Sequence, residues 1–380
     1  MISLSIQGMT CSSCATHIKD VIAIMDGVNS VDVSYENASA EVNANSNNDV
    51  NDIIAVIESL GYNAQEQLAE EACCSTKDEA APTNNESLHV AIIGSGSGAF
   101  ACAIKAADGG AQVTMIEGAE VIGGCCVNVG CVPSKILIRA AQLAQQQRHN
   151  PFAGLADNEP QLSRSLLAQQ QTERVEELRA AKYQHIIDSN PAITMVKGYA
   201  HFKNTNTLIV AKTDGSEKEI VADRILIATG STPAIPPING LADTPYWTST
   251  EALFAEETPQ HLIVIGSSVV AVELAQAYRR LGAEVTVLAR SALLFHEDPL
   301  LGEALTQAFE KEGITVLNQT QASQIDYFDG EFLLTTNNGT IQGDRLMIAT
   351  GRQANTEALN LETIGVKTEK NGTIIVNNRM

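Results

Sequence analysis

The sequence lacks long apolar runs and carries little positive charge. Its 380 residues include 24 Lys and Arg against 45 Asp and Glu, which gives a formal net charge of −21. Because nucleic acids and anionic membranes attract basic surfaces, this charge argues against both as partners. No run of about 20 apolar residues predicts a membrane span, and residues 1–7 lack the basic and apolar regions of a signal peptide. We therefore expect a cytoplasmic protein.

Cysteine occurs in a pattern that does not suggest structural disulfides. Disulfide frameworks are rare in cytoplasmic proteins, where clustered cysteines are more typical of metal or redox sites. The eight cysteines are Cys11 with Cys14, Cys73 with Cys74, Cys125 with Cys126 and Cys131, and Cys102 alone. We expect Cys102 to pack in a core. The Cys73–Cys74 pair is either a relay for a soft metal or incidental.

Residues 1–68 have the pattern of a small, independent α+β module. Alternating apolar residues predict strands and apolar residues at helical spacing predict two helices, in the order βαββαβ. This order is typical of a ferredoxin-like sandwich. Residues 69–87 are polar and without periodicity, which predicts a flexible linker.

From residue 88 the pattern becomes α/β, with two Rossmann-like dinucleotide-binding folds. In the first, an apolar strand runs into a fingerprint. Gly94 allows the tight turn, Gly96 lets a pyrophosphate approach the backbone, and Ala99 keeps the following helix close to the strand. Glu117 ends the next strand, where a carboxylate can accept hydrogen bonds from a ribose. These residues predict a bound dinucleotide, the alternative being a Gly-rich turn in another α/β domain.

The second fold repeats the layout with Gly266 and Ala271, but its second strand runs into Arg290 instead of a carboxylate. An arginine can pair with a 2′-phosphate that a carboxylate would repel. The second site is therefore predicted to bind NADPH, unless Arg290 is only a solvated surface charge. Two Ala-Thr-Gly segments, at 228–230 and 349–351, follow apolar strands as chain crossings between such domains would. Two dinucleotide sites suggest that one cofactor passes electrons to the other.

A Gly-rich loop at 123–135 places Cys126 and Cys131 five positions apart and leads into an apparent helix. Cysteines near a dinucleotide site can exchange electrons with the cofactor, and they can also hold a soft metal. The loop predicts a thiol-linked flavoenzyme. The alternative is a pair of buried structural thiols.

The Cys-x2-Cys loop at 8–14 puts Cys11 and Cys14 at a loop–helix junction. A helix N-terminus lowers thiol pKa values and so favours the thiolates that soft cations prefer. Two ligands without a third suit Hg(II) or Cu(I) better than tetrahedral zinc. A redox pair of thioredoxin type is the alternative.

The loop at 123–135, both fingerprints and both Ala-Thr-Gly segments resemble the flavin-dependent pyridine nucleotide–disulfide oxidoreductases, over about residues 88–380. The loop at 8–14 closely resembles the motif of heavy-metal-associated domains. With that module and the segments at 245–252 and 287–290, the chain is most similar to the family members that reduce mercuric ion. The resemblance implies FAD and NADPH as cofactors and Hg(II) as the substrate, reduced to elemental mercury.

The resemblance also implies roles for single residues. Cys126 corresponds to the thiol that engages substrate and Cys131 to the thiol beside the flavin, with Cys11 and Cys14 delivering Hg(II) to them. Lys135 is expected near the flavin ring, paired with Glu273 beneath the nicotinamide. The residues expected to contact the cofactors are Gly94, Gly96, Ala99, Glu117, Gly124, Cys125, Lys135, Ala200, Gly230, Gly266, Ala271, Arg290 and Gly351.

Cys125 stands where family members commonly carry Thr, whose hydroxyl would help to hold the FAD pyrophosphate. A thiol is a weaker hydrogen-bond donor than a hydroxyl. Cys125 is therefore either a third mercury ligand or a substitution without a role.

The resemblance predicts an FAD-binding domain at 88–240, an NADPH-binding domain at 241–355 and a return towards the FAD or central domain at 356–380. In the family, a Gly-Asp motif that contacts FAD and a dimerisation domain follow, and in its mercury-reducing members that domain ends in a vicinal cysteine pair that serves the neighbouring subunit. None of this is in the sequence, so we expect a fragment of a homodimeric protein. The alternatives are another NAD(P)H-dependent disulfide reductase, of dihydrolipoamide or glutathione type, or a metal carrier alone if FAD is not held.

Overall fold

The chain divides by its internal contacts into two compact units, Met1–Asn84 and Asn85–Met380. The computed structural model describes residues 2–7, 12–23, 25, 27–35, 38–44, 50–60, 62–66 and 87–378. Apart from residue 87, the predicted linker at 69–87 lies outside these residues, as do Cys11, Cys73 and Cys74. None of the helices in the described part is long and apolar enough to cross a membrane.

The N-terminal unit is a four-stranded antiparallel sheet with two helices, in the order βαββαβ that its sequence predicts. Its elements are β1 (Ile2–Gln7), α1 (Ser12–Ala23), β2 (Val28–Ser34), β3 (Ser39–Ala44), α2 (Val50–Ser59) and β4 (Asn63–Glu66). The strands pair in the order β2-β3-β1-β4. Strand alternation buries Leu4 and Ile6, and four-residue helical spacing buries Ile18 and Ile22 against them. Cys14 falls within α1, but its side chain is outside the described part of the structure.

The first half of the second unit contains a parallel sheet, an antiparallel sheet and five helices. Its elements are β5 (His89–Ile93), α3 (Ser97–Asp108), β6 (Gln112–Glu117), α4 (Gly124–Val129), α5 (Cys131–Arg148), α6 (Arg164–Arg179), α7 (His185–Ser189), β7 (Ile193–Lys197), β8 (Tyr199–Asn204), β9 (Thr207–Ala211), β10 (Glu217–Val221) and β11 (Arg224–Ile227). A π-helical turn, Ala180–Gln184, joins α6 to α7. The parallel sheet has the order β11-β5-β6-β7, and β8, β9 and β10 form the antiparallel sheet.

Strand β5 shows why this half is layered. Successive side chains of a strand point to opposite faces of the sheet. Val90 and Ile92 are buried in the core that includes residues of α3, whereas Ala91 and Ile93 are buried in the core shared with the antiparallel sheet. A parallel sheet covered on both faces needs a continuous apolar strand, and the sequence of β5 provides one.

The second half repeats the arrangement. Its elements are β12 (Ser231–Pro233), α8 (Ser249–Phe254), β13 (His261–Ile265), α9 (Val269–Arg280), β14 (Glu284–Leu288), α10 (Pro299–Lys311), β15 (Thr315–Leu317), β16 (Ala322–Phe328), β17 (Glu331–Thr336), β18 (Gly339–Gly343), β19 (Arg345–Ile348) and β20 (Arg352–Ala354). The parallel sheet has the order β15-β14-β13-β19, β16 to β18 form a second antiparallel sheet, and β12 pairs with β20. In β13, Leu262 and Val264 face the core with α9, while Ile263 and Ile265 face β16 to β18.

Two features join the halves of this unit. Helix α5 follows the first nucleotide fold in sequence, yet Leu137 and Ala141 are buried in the core formed by the second half. After β20 the chain also returns, because Leu359 and Leu361 are buried with Ala200 in the core of the first half. The helix that begins at Cys131 is therefore fixed against α9.

Candidate active site

Gly94 forms the turn after β5, and only glycine fits there. Its φ is +114°, and a Cβ atom added to it would lie 2.2 Å from the carbonyl oxygen of Ala228. Both conditions exclude a side chain. The first Ala-Thr-Gly segment therefore packs its backbone directly against the fingerprint. Gly96 then caps α3 with no side-chain hydrogen bond, so the first N–H groups of that helix are available to an anion.

Glu117 is held at the carboxyl end of β6 by two hydrogen bonds. One carboxylate oxygen accepts from the hydroxyl of Ser95, and the other accepts from the backbone N–H of Ala119 at 2.7 Å. Ser95 is buried, and its hydroxyl accepts from the N–H of Gly123 at 3.1 Å. Ser95, which belongs to the fingerprint, is therefore hydrogen-bonded to both Glu117 and the start of the cysteine loop.

The cysteine loop lies directly on the fingerprint. Gly124 has a φ of +66°, and a Cβ atom on it would lie 2.5 Å from the Cα atom of Gly96. The two backbones are thus in contact without any side chain between them. This contact places the short helix α4, and with it Cys126, beside the predicted dinucleotide site.

Cys126, on α4, and Cys131, at the start of α5, are free thiols, and Cys131 is the neighbour with the largest effect on Cys126. The hydrogen bond with Cys131, and next to it burial, raises the pKa of Cys126. Cys131 begins α5 and is exposed, which argues against the alternative of two buried structural thiols. The pair can form a disulfide or share a soft cation.

Lys135 and Glu273 form an ion pair, as the resemblance implied, with Nζ 2.5 Å from a carboxylate oxygen. Lys135 lies on α5 and Glu273 on α9, so the packing of these two helices sets the pair. Lys135 follows Cys131 by four residues and shares its face of the helix. The ion pair is part of the structure, whereas its position beneath a nicotinamide stays a prediction.

Comparison with known proteins identifies the family. The family described as "Pyridine nucleotide-disulphide oxidoreductase" matches residues 88–380, and the "Heavy-metal-associated domain" matches residues 3–63. The chain belongs to the pyridine nucleotide–disulfide oxidoreductases. A mercuric reductase of Shewanella putrefaciens is 64% identical over 100% of this chain and 70% of its own length. A mercuric reductase of Acidithiobacillus ferrooxidans is 49% identical over 99% of this chain and 68% of its own length.

Similarity to solved structures supports the assignment to this family. The HOCl-induced flavoprotein disulfide reductase RclA of Escherichia coli, in its Cu(II) complex, superposes with a TM-score of 0.69 at 28% identity. The match covers 77% of this chain and 63% of the solved chain. The chain is therefore a flavin-dependent oxidoreductase of this fold with an N-terminal heavy-metal-associated domain, and it is similar to mercuric reductases.

The first fingerprint fits the flavin dinucleotide that the family uses. The N-terminus of α3 has no side-chain cap, and no atom lies within 4 Å of the position of a Cβ on Gly98. Ala99 is fully buried, as expected for a residue that keeps helix and strand close. Gly230, with φ of +68°, accepts from the N–H of Asn355 at 3.1 Å at the crossing between the halves. Ala200 lies buried in β8, in the core with Ala91.

The second fingerprint has the same construction. Gly266 has a φ of +144°, and a Cβ atom on it would lie 2.3 Å from the carbonyl oxygen of Ala349 in the second Ala-Thr-Gly segment. Ser268 caps α9 without a side-chain hydrogen bond, and Ala271 is fully buried. Gly351, with φ of +133°, accepts from the N–H of Ala234. Arg290 is exposed just after β14.

Cys125 points to a different neighbour from the redox pair. Its sulfur lies 3.5 Å from Nη2 of Arg352, and Nε of the same guanidinium donates to the hydroxyl of Ser231 at 2.7 Å. No group of three His, Cys, Asp or Glu residues in the described part of the chain is placed to hold a metal ion. Both alternatives for Cys125, a third mercury ligand or a substitution without a role, stay predictions.

Sequence reasoning missed Tyr183. It lies on the π-helical turn after α6 and packs edge-on against Phe100, with ring centroids 4.8 Å apart. Burial raises the pKa of Tyr183, and the charges of Cys126 and Cys131 raise it further. The ring of Tyr183 lies beside Gly123, at the start of the cysteine loop. No spacing in the sequence signals this. A π-helical turn is a rare feature that often marks a functional site, but it shows only in the structure.

Proposed function

We propose that this chain reduces Hg(II) to elemental mercury, with electrons from NADPH that pass through FAD and the Cys126–Cys131 dithiol. The observation that carries the proposal is the position of two free thiols, Cys126 and Cys131, on a loop whose backbone touches the fingerprint at Gly96. The mercuric reductases at 64% and 49% identity support Hg(II) as the substrate.

Bound FAD supplies the relay of two electrons between a nicotinamide and a dithiol. On this chain, Gly94 and Gly96 leave room for a pyrophosphate at the N-terminus of α3, and Glu117 offers acceptors to a ribose. The further contacts that we assign to FAD are Ala99, Gly124, Cys125, Lys135, Ala200 and Gly230.

We assign NADPH to the second fingerprint, with contacts at Gly266, Ala271 and Gly351. The N-terminus of α9 can receive a pyrophosphate as that of α3 can. Arg290 is an exposed cation at the end of the strand, where the 2′-phosphate that distinguishes NADPH from NADH is bound in such folds. A guanidinium and a phosphate form strong, charge-assisted hydrogen bonds, which supports NADPH.

The thiols bind the metal by losing their protons. Hg(II) is a soft cation that prefers thiolate sulfur, and thiol ligands are deprotonated as a metal binds. Because the pKa of Cys126 is raised, its proton is present at neutral pH until mercury displaces it. Overall, NADPH and Hg(II) give NADP⁺, elemental mercury and one proton, so that the two electrons of a hydride reduce the metal.

Lys135 supports this chemistry through its charge. Lys135 follows Cys131 by one helical turn, so its positive charge lies on the thiol side of the proposed site. Glu273 fixes the direction of the lysine side chain by the ion pair at 2.5 Å. We therefore assign both residues to the active site, with Lys135 on the thiol side and Glu273 on the side of the second fingerprint.

For the N-terminal unit we propose a ferredoxin-like fold in which Cys11 and Cys14 bind Hg(II) and deliver it to Cys126 and Cys131. The strand order β2-β3-β1-β4 supports this fold, and the match to the heavy-metal-associated domain supports metal binding. A tethered donor raises the effective concentration of the metal at the acceptor. The domain limits at 88–240, 241–355 and 356–380, the homodimer and the cytoplasmic location stay predictions.

The test is oxidation of NADPH that depends on Hg(II), followed at the nicotinamide absorbance. Cys126→Ala is expected to abolish it, and retention of turnover in that variant would show that the assignment is wrong. Cys102→Ala is the matched control, because this free cysteine lies half-buried against the core on α3 and should not change turnover.

Two results would favour other functions. Turnover of oxidised lipoamide or glutathione without mercury would indicate a disulfide reductase of another type. Binding of Hg(II) or Cu(I) by a chain that shows no flavin absorbance would indicate a metal carrier.

A further inference from the structure

Asn128 braces the loop between the two redox cysteines. Its side-chain amide donates to the carbonyl oxygen of Ile122 at 2.8 Å and to that of Gly124 at 2.9 Å. These bonds connect the C-terminal part of α4 to its first residue and to the residue two positions before it. One side chain thus stabilises the backbone that carries Cys126. The amide oxygen of Asn128 remains free within the loop to accept a further bond.

Arg179 provides that bond from a distant part of the chain. Its Nη1 donates to the amide oxygen of Asn128 at 2.9 Å, across 51 positions of sequence. Arg179 is the last residue of α6, directly before the π-helical turn that carries Tyr183. A hydrogen bond from a guanidinium is charge-assisted and stronger than one between neutral groups.

The other end of α6 is fixed independently. The side chains of Arg164 and Gln171 are buried and donate to the carbonyl oxygen of Leu253, at 2.6 Å and 2.8 Å, at the end of α8. Helix α6 is therefore anchored to α8 by hydrogen bonds that do not involve Arg179. The bond from Arg179 to Asn128 then serves to hold the cysteine loop.

We propose that Arg179 is a positioning residue for the dithiol: through Asn128 it holds the loop so that Cys126 stays close to Cys131. The inference rests on the proposed function, because it gives the Cys126–Cys131 pair a redox role. Groups held at bonding distance have a high effective concentration towards each other. Loss of the guanidinium lets the thiols separate, which disfavours the disulfide relative to the dithiol.

The experiment is equilibration of the full chain with mixtures of reduced and oxidised dithiothreitol, followed by acid quench and alkylation. The protein disulfide takes two electrons and two protons from one dithiothreitol, which closes to its cyclic disulfide. The tryptic peptide 106–135 contains three cysteines, so it carries one alkyl group in the disulfide form and three in the dithiol form. Mass spectrometry then gives the equilibrium constant without mercury, NADPH or turnover.

Arg179→Met is expected to shift this constant towards the dithiol by about tenfold, the factor that a hydrogen bond from a charged group supplies. Arg179→Lys keeps a cationic donor and should restore most of the wild-type constant. Arg174→Met is the matched control, since Arg174 is an exposed residue of the same helix and should leave the constant unchanged.

An unchanged constant in a folded Arg179→Met chain, judged by its thermal melt, overturns the proposal. Should that variant not fold, Arg179→Gln takes its place and an unchanged constant counts in the same way. A wild-type chain that forms no disulfide in this peptide would instead contradict the proposed function, so the two failures are distinguishable.

Discussion

The ammonium of Lys135 lies 2.5 Å from a carboxylate oxygen of Glu273, and the two residues belong to different halves of the second unit. Their side chains are 59% and 34% exposed. Ion pairs with this degree of exposure contribute little to stability, about 0–1 kcal/mol. We therefore expect the ion pair to matter for activity more than for stability, because it fixes the positive charge of Lys135 one helical turn after Cys131.

Replacing Glu273 by Gln should separate activity from stability. Loss of the carboxylate frees the lysine side chain, so we expect Hg(II)-dependent oxidation of NADPH to fall by about tenfold or more, as for the loss of an oriented charge in an active site. The free energy of unfolding should change by less than about 1 kcal/mol. Initial rates and denaturant titrations measure the two effects.

Glu219→Gln is the matched control for that variant. Glu219 pairs with Lys203 at 2.7 Å, and the side chains of the lysine and the glutamate are 53% and 49% exposed. The two residues lie on β8 and β10 of the antiparallel sheet. It should leave both turnover and stability unchanged. Equal loss of activity in the two variants would mean that the Lys135–Glu273 pair has no special role.

The glycines of the fingerprints and the cysteines of the loop at 123–135 could be predicted from sequence because their function depends on local geometry. Gly94 and Gly266 both have positive φ and both meet a carbonyl oxygen of an Ala-Thr-Gly segment. A motif of a few consecutive residues encodes that requirement. The same holds for the order βαββαβ, which follows from short-range periodicity.

Tyr183 and Arg179 could not be predicted, because tertiary packing brings them to the cysteine loop, at Gly123 and Asn128. Both lie more than 45 residues after Cys131, in a polar helix and its π-helical turn, where spacing marks no function. The contact of Cys125 with Arg352 is of the same kind, since it joins residues 227 positions apart. The sequence indicates which residues have reactive side chains, whereas tertiary packing determines which of these side chains are in contact.

Gly94→Ala should destabilise the second unit strongly. The added methyl group would lie 2.2 Å from the oxygen of Ala228, and φ of +114° is strained for any other residue. Backbone strain of this kind costs about 1–3 kcal/mol before the clash is counted. Denaturant titration of the full chain should show a loss of at least that size.

Gly98→Ala is the control for this loss. It lies in the first turn of α3, with no atom within 4 Å of the added Cβ. Alanine in a helix is favoured over glycine by about 1 kcal/mol, so this variant should be as stable as the wild type or more so. A similar loss in both variants would contradict the role of the Gly94 turn.

Cys131→Ala should make Cys126 more reactive at a given pH. The hydrogen bond with Cys131 is the main cause of the raised pKa of Cys126. Without it the pKa falls towards the ordinary value, so a larger fraction of Cys126 is thiolate at pH 8 and alkylation by iodoacetamide is faster. The rate of alkylation between pH 6 and pH 10, read by mass spectrometry in chains with Cys125→Ser, measures the shift. A midpoint that stays the same or moves up would contradict the prediction.

Arg290→Ala should change the choice of nicotinamide nucleotide. The exposed guanidinium can pair with the 2′-phosphate of NADPH, and NADH has no such group. A charge-assisted hydrogen bond is worth about 1.5–3 kcal/mol, so we expect the KM for NADPH to rise by about tenfold to a hundredfold. The KM for NADH should stay unchanged, and this internal control separates loss of phosphate binding from general damage to the site. If the KM values for NADPH and NADH rise together, Arg290 stabilises the fold of the second half and does not bind the 2′-phosphate.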